Sequence, residues 1–256
     1  MTEDLARAVE RLRDGLARVR SVLFITGAGV SADSGLPTYR GVGGLYDAED
    51  TDEGVPIEVA LSGSMFRRNP ELTWKYIAQI ERACRGAEPN LAHRAMAALE
   101  QRVPRAWVLT QNVDGLHRRA GSTNLIEIHG GVHELHCTAC AYETTVADYS
   151  SLAPLPRCPS CDAVVRPRVV LFEEQLPPTA VTALEHELAT GFDAVVSVGT
   201  TSVFPYIRAP LLLARSRGKF TAEINPGETE VSRAVDVKLA AGAADVFALL
   251  RPWWDA

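Results

Sequence analysis

Four short apolar runs, at 21–26, 106–109, 193–198 and 219–224, each stop at a polar or glycine-rich turn, reading GAG, QNVD, GTTS and NPGE in chain order. Continuous apolar runs of this length are how strands buried on both faces read. When such strands run parallel, the turns that come after them line one edge of the sheet, where open α/β folds bind ligands. The pattern therefore predicts an α/β chain built on a parallel sheet with helices on both faces. Leu5, Val9, Leu12 and Leu16 recur at helical spacing and predict an amphipathic first helix. Helical patterns are present at 56–61, 69–85, 90–100, 177–190 and 243–250, and a further strand is expected over 168–172. The 69–85 pattern puts Trp74, Ile77, Ile80 and Cys84 on one face, with Cys84 as a small core residue.

The turn behind the first strand, Gly27-Ala28-Gly29-Val30-Ser31-Ala32, has the G-x-G-x-x-A form that brings backbone close to a pyrophosphate. Alone it is a weak signal, and the residues after it depart from a dehydrogenase. Gly35 and Pro37 break the helix, and no second strand ends in an acidic ribose ligand about 20 residues on. Residues 34–41 read instead as a lid over a bound nucleotide.

The most polar stretch runs from Thr110 to His136. Gln111, Asn112 and Asp114 stand just past one strand, and His129 ends the alternating run Leu125-Ile126-Glu127-Ile128 before Gly130-Gly131. Each has a plain structural alternative: Asn112 and Asp114 suit the cap of a helix starting near Gly115, and His129 suits a satisfied core position. Together they put an amide, a carboxylate and an imidazole within reach of one ligand.

Cys137-Thr138-Ala139-Cys140 and Cys158-Pro159-Ser160-Cys161 form a C-x2-C-x17-C-x2-C pattern, within the spacing of a four-cysteine zinc ribbon. A redox pair does not explain two matched turns. With four sulfurs available no position remains for a metal-bound water, so the zinc is expected to be structural, and His133 and His136 are not needed as ligands. Five cysteines, four of them in these pairs, suit a reducing compartment better than a disulfide framework. A net charge of −6 leaves no cationic surplus to neutralise a phosphate backbone, which argues against a nucleic-acid partner. No apolar stretch approaches the roughly 20 residues of a membrane span, and the charged, amphipathic start is unlike a signal peptide. A cytoplasmic protein is expected.

GAGVSADSGLPTYR, TQNVDGLHRRAGS, IEIHG, the paired C-x-x-C turns, RPRVVLF, VGTTS and EINPGET, taken together and in this order, strongly resemble the sirtuins, NAD-dependent protein lysine deacylases. The likeness runs from Val22 to about Leu250. It implies one catalytic domain over 1–256: a Rossmann-like lobe at about 1–40, 90–132 and 166–256, and a smaller lobe made of a helical insertion at about 41–89 and a zinc ribbon at about 133–165. It implies that NAD lies between the lobes. Gly27, Ala28, Gly29 and Ser31 would meet the pyrophosphate, with Tyr39 and Arg40 closing over it. Gly199, Thr200, Thr201, Asn225, Pro226 and Ala244 would flank the adenosine half, and Gln111, Asn112, Val113 and Asp114 the nicotinamide ribose.

By the same resemblance His129 is the general base, with Asn112 and Asp114 beside it. The acyl-lysine oxygen attacks the ribose carbon and expels nicotinamide. The imidazole then takes a ribose hydroxyl proton, the freed oxygen attacks the amidate carbon, one water is consumed, and the products are nicotinamide, free lysine and O-acyl-ADP-ribose. The acyl-lysine peptide is expected to add as a strand between Phe172-Glu173-Glu174-Gln175 and Ser202-Val203-Phe204.

Several positions depart from the family pattern. Phe172-Glu173-Glu174 stands where Phe-Gly-Glu is common, Pro205 is displaced and followed by Tyr206, and Thr38 and Tyr39 replace Asp and Phe. Ile77 and Ile80 occupy the places of the Tyr-x-x-Arg pair that reads acidic acyl groups, and an apolar wall cannot compensate a buried carboxylate. Neutral acyl groups, acetyl or longer, are therefore expected over succinyl or malonyl. The alternatives are NAD-dependent mono-ADP-ribosyl transfer, NAD hydrolysis, or a non-enzymatic zinc-ribbon adaptor. A monomer is favoured.

Overall fold

In the computed structural model, which describes residues 3–38 and 51–254, the apolar run Ser21–Thr26 becomes β1, with side chains alternating between two cores. Val22 and Phe24 face one of them, Leu23 and Ile25 the other. That two-sided burial is why the run is apolar between Ser21 and Thr26. α1 (Glu3–Leu16) precedes it and buries Val9, Leu12 and Leu16 on the first face. Each buried leucine there contributes roughly 1.5–3 kcal/mol. After β1 come two single-turn 3-10 helices, Ala28–Val30 and Ala32–Ser34, and the second ends at Gly35 with φ 81°. Gly35 and Pro37 thus stop the long helix, as expected.

The chain then forms α2 (Ile57–Ala60), α3 (Gly63–Arg68), α4 (Pro70–Cys84), α5 (Leu91–Leu99), β2 (Arg105–Thr110), α6 (Leu116–Ala120) and β3 (Leu125–Glu127). Next are β4 (Gly130–Cys137), β5 (Glu143–Thr145) and β6 (Val165–Val169). The remainder is α7 (Pro178–Thr190), β7 (Ala194–Val198), α8 (Pro205–Ser216), β8 (Phe220–Ile224), β9 (Val237–Leu239), α9 (Ala243–Leu249) and α10 (Arg251–Trp254).

Six strands make one sheet in the order β3-β2-β1-β7-β8-β9, every neighbouring pair parallel. α1, α5, α9 and α10 cover one face, and α7 and α8 the other. Helices on both faces of a parallel sheet are the architecture the apolar runs predict. The strand order changes direction around β1, so the turns after β1, β2 and β7 sit side by side.

A second sheet, β5-β4-β6, is antiparallel and separate. With α2, α3 and α4 it closes its own core, in which Trp74, Ile77, Leu135, Tyr149, Val165 and Leu171 pack beside Cys137 and Cys158. The Trp74 indole N–H donates to the Val165 carbonyl at 3.0 Å, and the Trp74 and Tyr149 rings lie 5.5 Å apart. The helical insertion and the ribbon are therefore one lobe with one core.

Two expectations are corrected here. The strand placed at 168–172 is β6, three residues earlier, and it belongs to the small antiparallel sheet. Phe172 makes only an isolated bridge to Ser62, because its backbone pairs with the Leu61 carbonyl and the Gly63 N–H, each at 2.9 Å. α3, α8, β4, β5 and β9 were not foreseen. α3 starts where the Ser62 side chain accepts from the Met65 N–H, a local cap with no long apolar pattern behind it.

Candidate active site

The turns after β1, β2 and β7 meet through their glycines. The Gly27 N–H donates to the Val198 carbonyl at 3.2 Å and the Gly29 N–H to the Gly199 carbonyl at 2.8 Å. A Cβ on Gly29 would stand 2.8 Å from the Gly199 Cα, and one on Gly27 2.7 Å from the Thr200 Cβ. These glycines are thus demanded first by the neighbouring GTTS loop, before any ligand is considered. Gly199 itself has φ 60°, a conformation open to glycine.

Asn112 and Asp114 are buried beside Ser31. The Asn112 Nδ2 donates to the Gly27 carbonyl and to Ser31 Oγ, both at 3.1 Å. Ser31 Oγ in turn donates to Asp114 Oδ2 at 2.8 Å, while Asp114 Oδ1 accepts from the Leu116 N–H at 2.9 Å. Asp114 therefore satisfies the first N–H of α6 from the residue before the Gly115 N-cap, close to the plain reading, and still keeps its second oxygen in the cluster. Asn112 caps nothing. Burial pushes the Asp114 carboxyl above its ordinary range, opposed by its bonds to Leu116 and Ser31.

Gln111 joins this cluster to the next loop: its Nε2 donates to Thr200 Oγ1 at 2.8 Å, and its carbonyl lies 3.0 Å from His129 Nδ1. A carbonyl can only accept, so Nδ1 carries the proton and Nε2 is the titrating nitrogen. Burial lowers the His129 pKa below its ordinary value, partly offset by the Gln111 bond. His129 is held at the lobe junction because β4 begins at Gly130, with φ 72° and the Arg168 carbonyl where a Cβ would be.

The other expected residues fall around this centre. Asn225 Nδ2 donates to the Thr200 carbonyl at 3.1 Å, and the Ala244 N–H to Asp33 Oδ2 at 3.1 Å. The Thr201 carbonyl accepts from the Glu230 N–H at 3.3 Å, the Val113 carbonyl from the Val132 N–H at 3.0 Å, and Pro226 is exposed. Ala28 is half-buried in the first 3-10 turn. Tyr39 and Arg40, and the end of the lid at Gly41, lie outside the described residues.

On the substrate side, Val203 and Phe204 are exposed at 56% and 39%, and Glu173 and Ser202 have φ of 69° and 57°. Glu174 turns inward instead. Arg166 holds its carboxylate from two nitrogens at 2.7 and 3.0 Å, and the Leu171 N–H adds a bond at 2.9 Å. Ile77 lies in the small lobe's core and Ile80 is half-buried against it. Because the Phe172 backbone is already paired, an added peptide strand would have to start beyond it.

Residues to which the sequence reasoning gave no role in the site complete it. His93 Nε2 lies 3.4 Å from Ser31 Oγ, and His117 Nε2 2.9 Å from Thr26 Oγ1, with the two rings 4.7 Å apart. Burial takes His93 down to about 4 and His117 to about 3, so both are neutral at pH 7. The Asn90 side chain, which caps α5 by accepting from Ala92 N and His93 N, also donates to the Val30 carbonyl at 2.8 Å. Tyr206 meets His129. Only a capping box at Asn90 was open to sequence reasoning; the histidine contacts cross 62 and 91 residues of chain.

The four thiols fit zinc. Their sulfurs all lie within 4.8 Å of one another, with Cys137–Cys161 at 3.5 Å and Cys140–Cys158 at 3.6 Å. A tetrahedral ion with Zn–S of 2.3 Å needs sulfurs roughly 3.8 Å apart, whereas a disulfide needs about 2.05 Å. The Ala139 N–H donates to Cys137 Sγ at 3.3 Å and the Ser160 N–H to Cys158 Sγ at 3.4 Å, so both turns present a sulfur as acceptor in the same way. Among the described residues neither His133 nor His136 joins this cluster.

The family model described as Sir2 family matches residues 27–205. A Pseudomonas aeruginosa protein named NAD-dependent protein deacylase 2 is 52% identical over 241 residues, covering 93% of this chain and 94% of that one. A solved Sir2 homolog–NAD complex superposes with a TM-score of 0.85 at 36% identity, over 96% of this chain and 93% of that one. A Sir2–p53 peptide–NAD+ complex does so with a TM-score of 0.82 at 29% identity, over 96% and 98% of the two chains.

Proposed function

The chain belongs to the Sir2 family, and from that premise we propose that it is an NAD-dependent protein deacylase that removes neutral acyl groups, acetyl or longer, from lysine in preference to succinyl or malonyl. The observation that carries this reading is the convergence of Asn112, Asp114 and His129, from two separate strand ends, beside the glycine turns after β1 and β7. A packing role explains any one of them. It does not explain a network that leaves one imidazole nitrogen unprotonated, as a base.

When bound, NAD would supply an electrophilic ribose carbon, nicotinamide as leaving group and a ribose hydroxyl to accept the acyl group, so that with one water consumed the products are nicotinamide, free lysine and O-acyl-ADP-ribose. The chain's part is to hold and to deprotonate. Gly27, Ala28, Gly29 and Ser31 offer the turn for the pyrophosphate, with Tyr39 and Arg40 from the lid. Gly199, Thr200, Thr201, Asn225, Pro226 and Ala244 serve the adenosine side, and Gln111, Asn112, Val113 and Asp114 the nicotinamide ribose. The buried Asn112–Ser31–Asp114 network is a set of oriented dipoles in a site screened from water, which suits a sugar that gains positive charge. His129 is kept neutral by burial, which lowers its pKa, and Nδ1–H donating to the Gln111 carbonyl puts the lone pair on Nε2; it is the base for the ribose hydroxyl.

Peptide binding is assigned to the backbone beyond Phe172, at Glu173, and to the segment Ser202-Val203-Phe204, in which Val203 and Phe204 are exposed and Ser202 is buried, as an added strand. Ile77 and Ile80 support the neutral preference, since neither side chain can pair with a carboxylate. The same reading takes the protein to the reducing cytoplasm, where its thiols remain available for zinc, and makes it a monomer acting on proteins and not on nucleic acid.

The test is one peptide carrying acetyl-, longer acyl- or succinyl-lysine, incubated with NAD and followed by mass spectrometry. O-acyl-ADP-ribose from the neutral acyl forms is expected. Faster turnover of the succinyl form would overturn the acyl preference, and free ADP-ribose or an ADP-ribosylated protein in its place would overturn the deacylase.

A further inference from the structure

Tyr206 enters the site from an unexpected direction. It stands in the first turn of α8, started by Pro205, and its hydroxyl lies 2.7 Å from His129 Nε2. The imidazole stands nearly perpendicular to it, at 80°, while Phe204 stacks on the phenol at 5.5 Å and 16°. Among the described residues no second partner holds the phenol.

Hydrogen-bond inventory decides what this contact is. Nδ1 donates to the Gln111 carbonyl, so the neutral imidazole has one lone pair, on Nε2, and the phenol donates to it. A ribose hydroxyl that is to lose its proton to His129 must donate to that same lone pair. The two donors exclude each other. We infer that Tyr206 is a placeholder for the ribose hydroxyl: it holds the base's Nε2 before the nucleotide arrives and releases it when the ribose hydroxyl takes its place. This rests on His129 being the base, as proposed above. Phe204, exposed at 39% along the stack, leaves the ring pair room to shift toward solvent.

Tyr206 is then a positioning residue whose bond is present in the free enzyme and absent from the nucleotide complex. Removing it relieves a competitor. Y206F keeps the ring and its stacking, and should bind NAD more tightly by up to roughly fivefold, the equivalent of one net hydrogen bond, with KM for NAD lowered and kcat unchanged. The effect must pass through the imidazole. In an equilibrium titration with NAD, H129A and H129A/Y206F should therefore bind alike, so that the double-mutant cycle assigns the whole gain to the pair.

A fall in kcat of tenfold or more at unchanged KM would mean that the phenol acts in the reaction itself and would overturn the placeholder. So would unchanged affinity in Y206F, or the same gain with and without His129. Full turnover by H129A would sink the assignment of the base while leaving the binding cycle readable on its own.

Discussion

The sheet lobe and the small lobe are stabilised in different ways. In the sheet lobe, β1 alone divides its residues between two apolar cores, and six parallel strands carry helices on both faces. In the small lobe, two of the four thiols, Cys137 and Cys158, are themselves members of the single core, alongside Trp74 and Leu135. The first lobe is specified by apolar pattern alone. The second has too little sheet to do that, and with two metal-binding thiols inside its core the ion and the core are expected to act as one cooperative unit. His129 stands where the two join, its carbonyl bonded to the Val170 N–H and β4 leaving from the next residue.

Zinc removal should separate the lobes most sharply. Structural zinc contributes roughly 10–16 kcal/mol in small zinc peptides, more than most domains' whole stability. A strong chelator, or C158A, is expected to speed amide exchange in β4, β6 and the Trp74 region while β1 and β7 stay protected. Uniform loss of protection would mean the lobes share one cooperative unit, and no loss would mean the apolar core suffices without metal.

At the junction the largest functional effect is expected with little change in stability. H129A should lower deacylation by about 10²–10⁴-fold, the usual contribution of a general base, with zinc content and melting temperature unchanged. Because burial lowers the His129 pKa, the acid limb of wild-type activity should fall below the ordinary histidine value near roughly 6.5. A limb above that value would contradict a desolvated base.

Acid should probe the sheet lobe's side of the site. His93 is neutral when folded, with a pKa of about 4 against about 6.5 unfolded. A depressed histidine pKa contributes stability that is complete above the unfolded value and is lost as pH falls from it toward the folded value. By pH 5.5 the loss from His93 is on the order of 1 kcal/mol. H93Q should flatten the stability profile between pH 7 and 5.5. Because acid also protonates zinc thiolates in both proteins, the difference between the two slopes, and not either slope, is the measurement that counts.

The same contrast explains what the sequence made legible. Apolar runs announced β1, β2, β7 and β8 because burial on both faces makes most of their residues apolar, with the exceptions, among them Ser197, Thr221 and Glu223, buried and hydrogen-bonded, and paired C-x-x-C turns announced the metal because two thiolates per turn is its local requirement. β9 escaped because three residues carry no period. Asp114 and His129 were visible as types at strand ends. Tyr206 was visible only as an oddity beside a displaced proline, since its contact with His129 crosses 77 residues. Glu174 read as a groove residue, yet its carboxylate is committed to Arg166 eight residues before it. Local rules find strand ends; they do not find which side chains a fold brings across them.

The smallest expected effect concerns Glu173, the glutamate at a position where glycine is common in the family, held at φ 69°. Left-handed backbone costs a non-glycine residue roughly 1–2 kcal/mol. Its exposed carboxylate returns little, through a 3.2 Å bond from the Ser64 N–H. E173A keeps the strain and loses the bond, so it should be slightly less stable than the wild type. E173G loses the same bond but relieves the strain, at the expense of about 0.5–1 kcal/mol of extra freedom in the unfolded chain. The two variants therefore differ only in the backbone contribution, and E173G should exceed E173A by up to about 1 kcal/mol in denaturant melts. This strain sits in the small lobe, two residues past Leu171 in its core, so the difference should persist in zinc-loaded protein and vanish once chelation has opened that lobe. A difference that survives chelation would place residue 173 with the sheet lobe's cooperative unit instead.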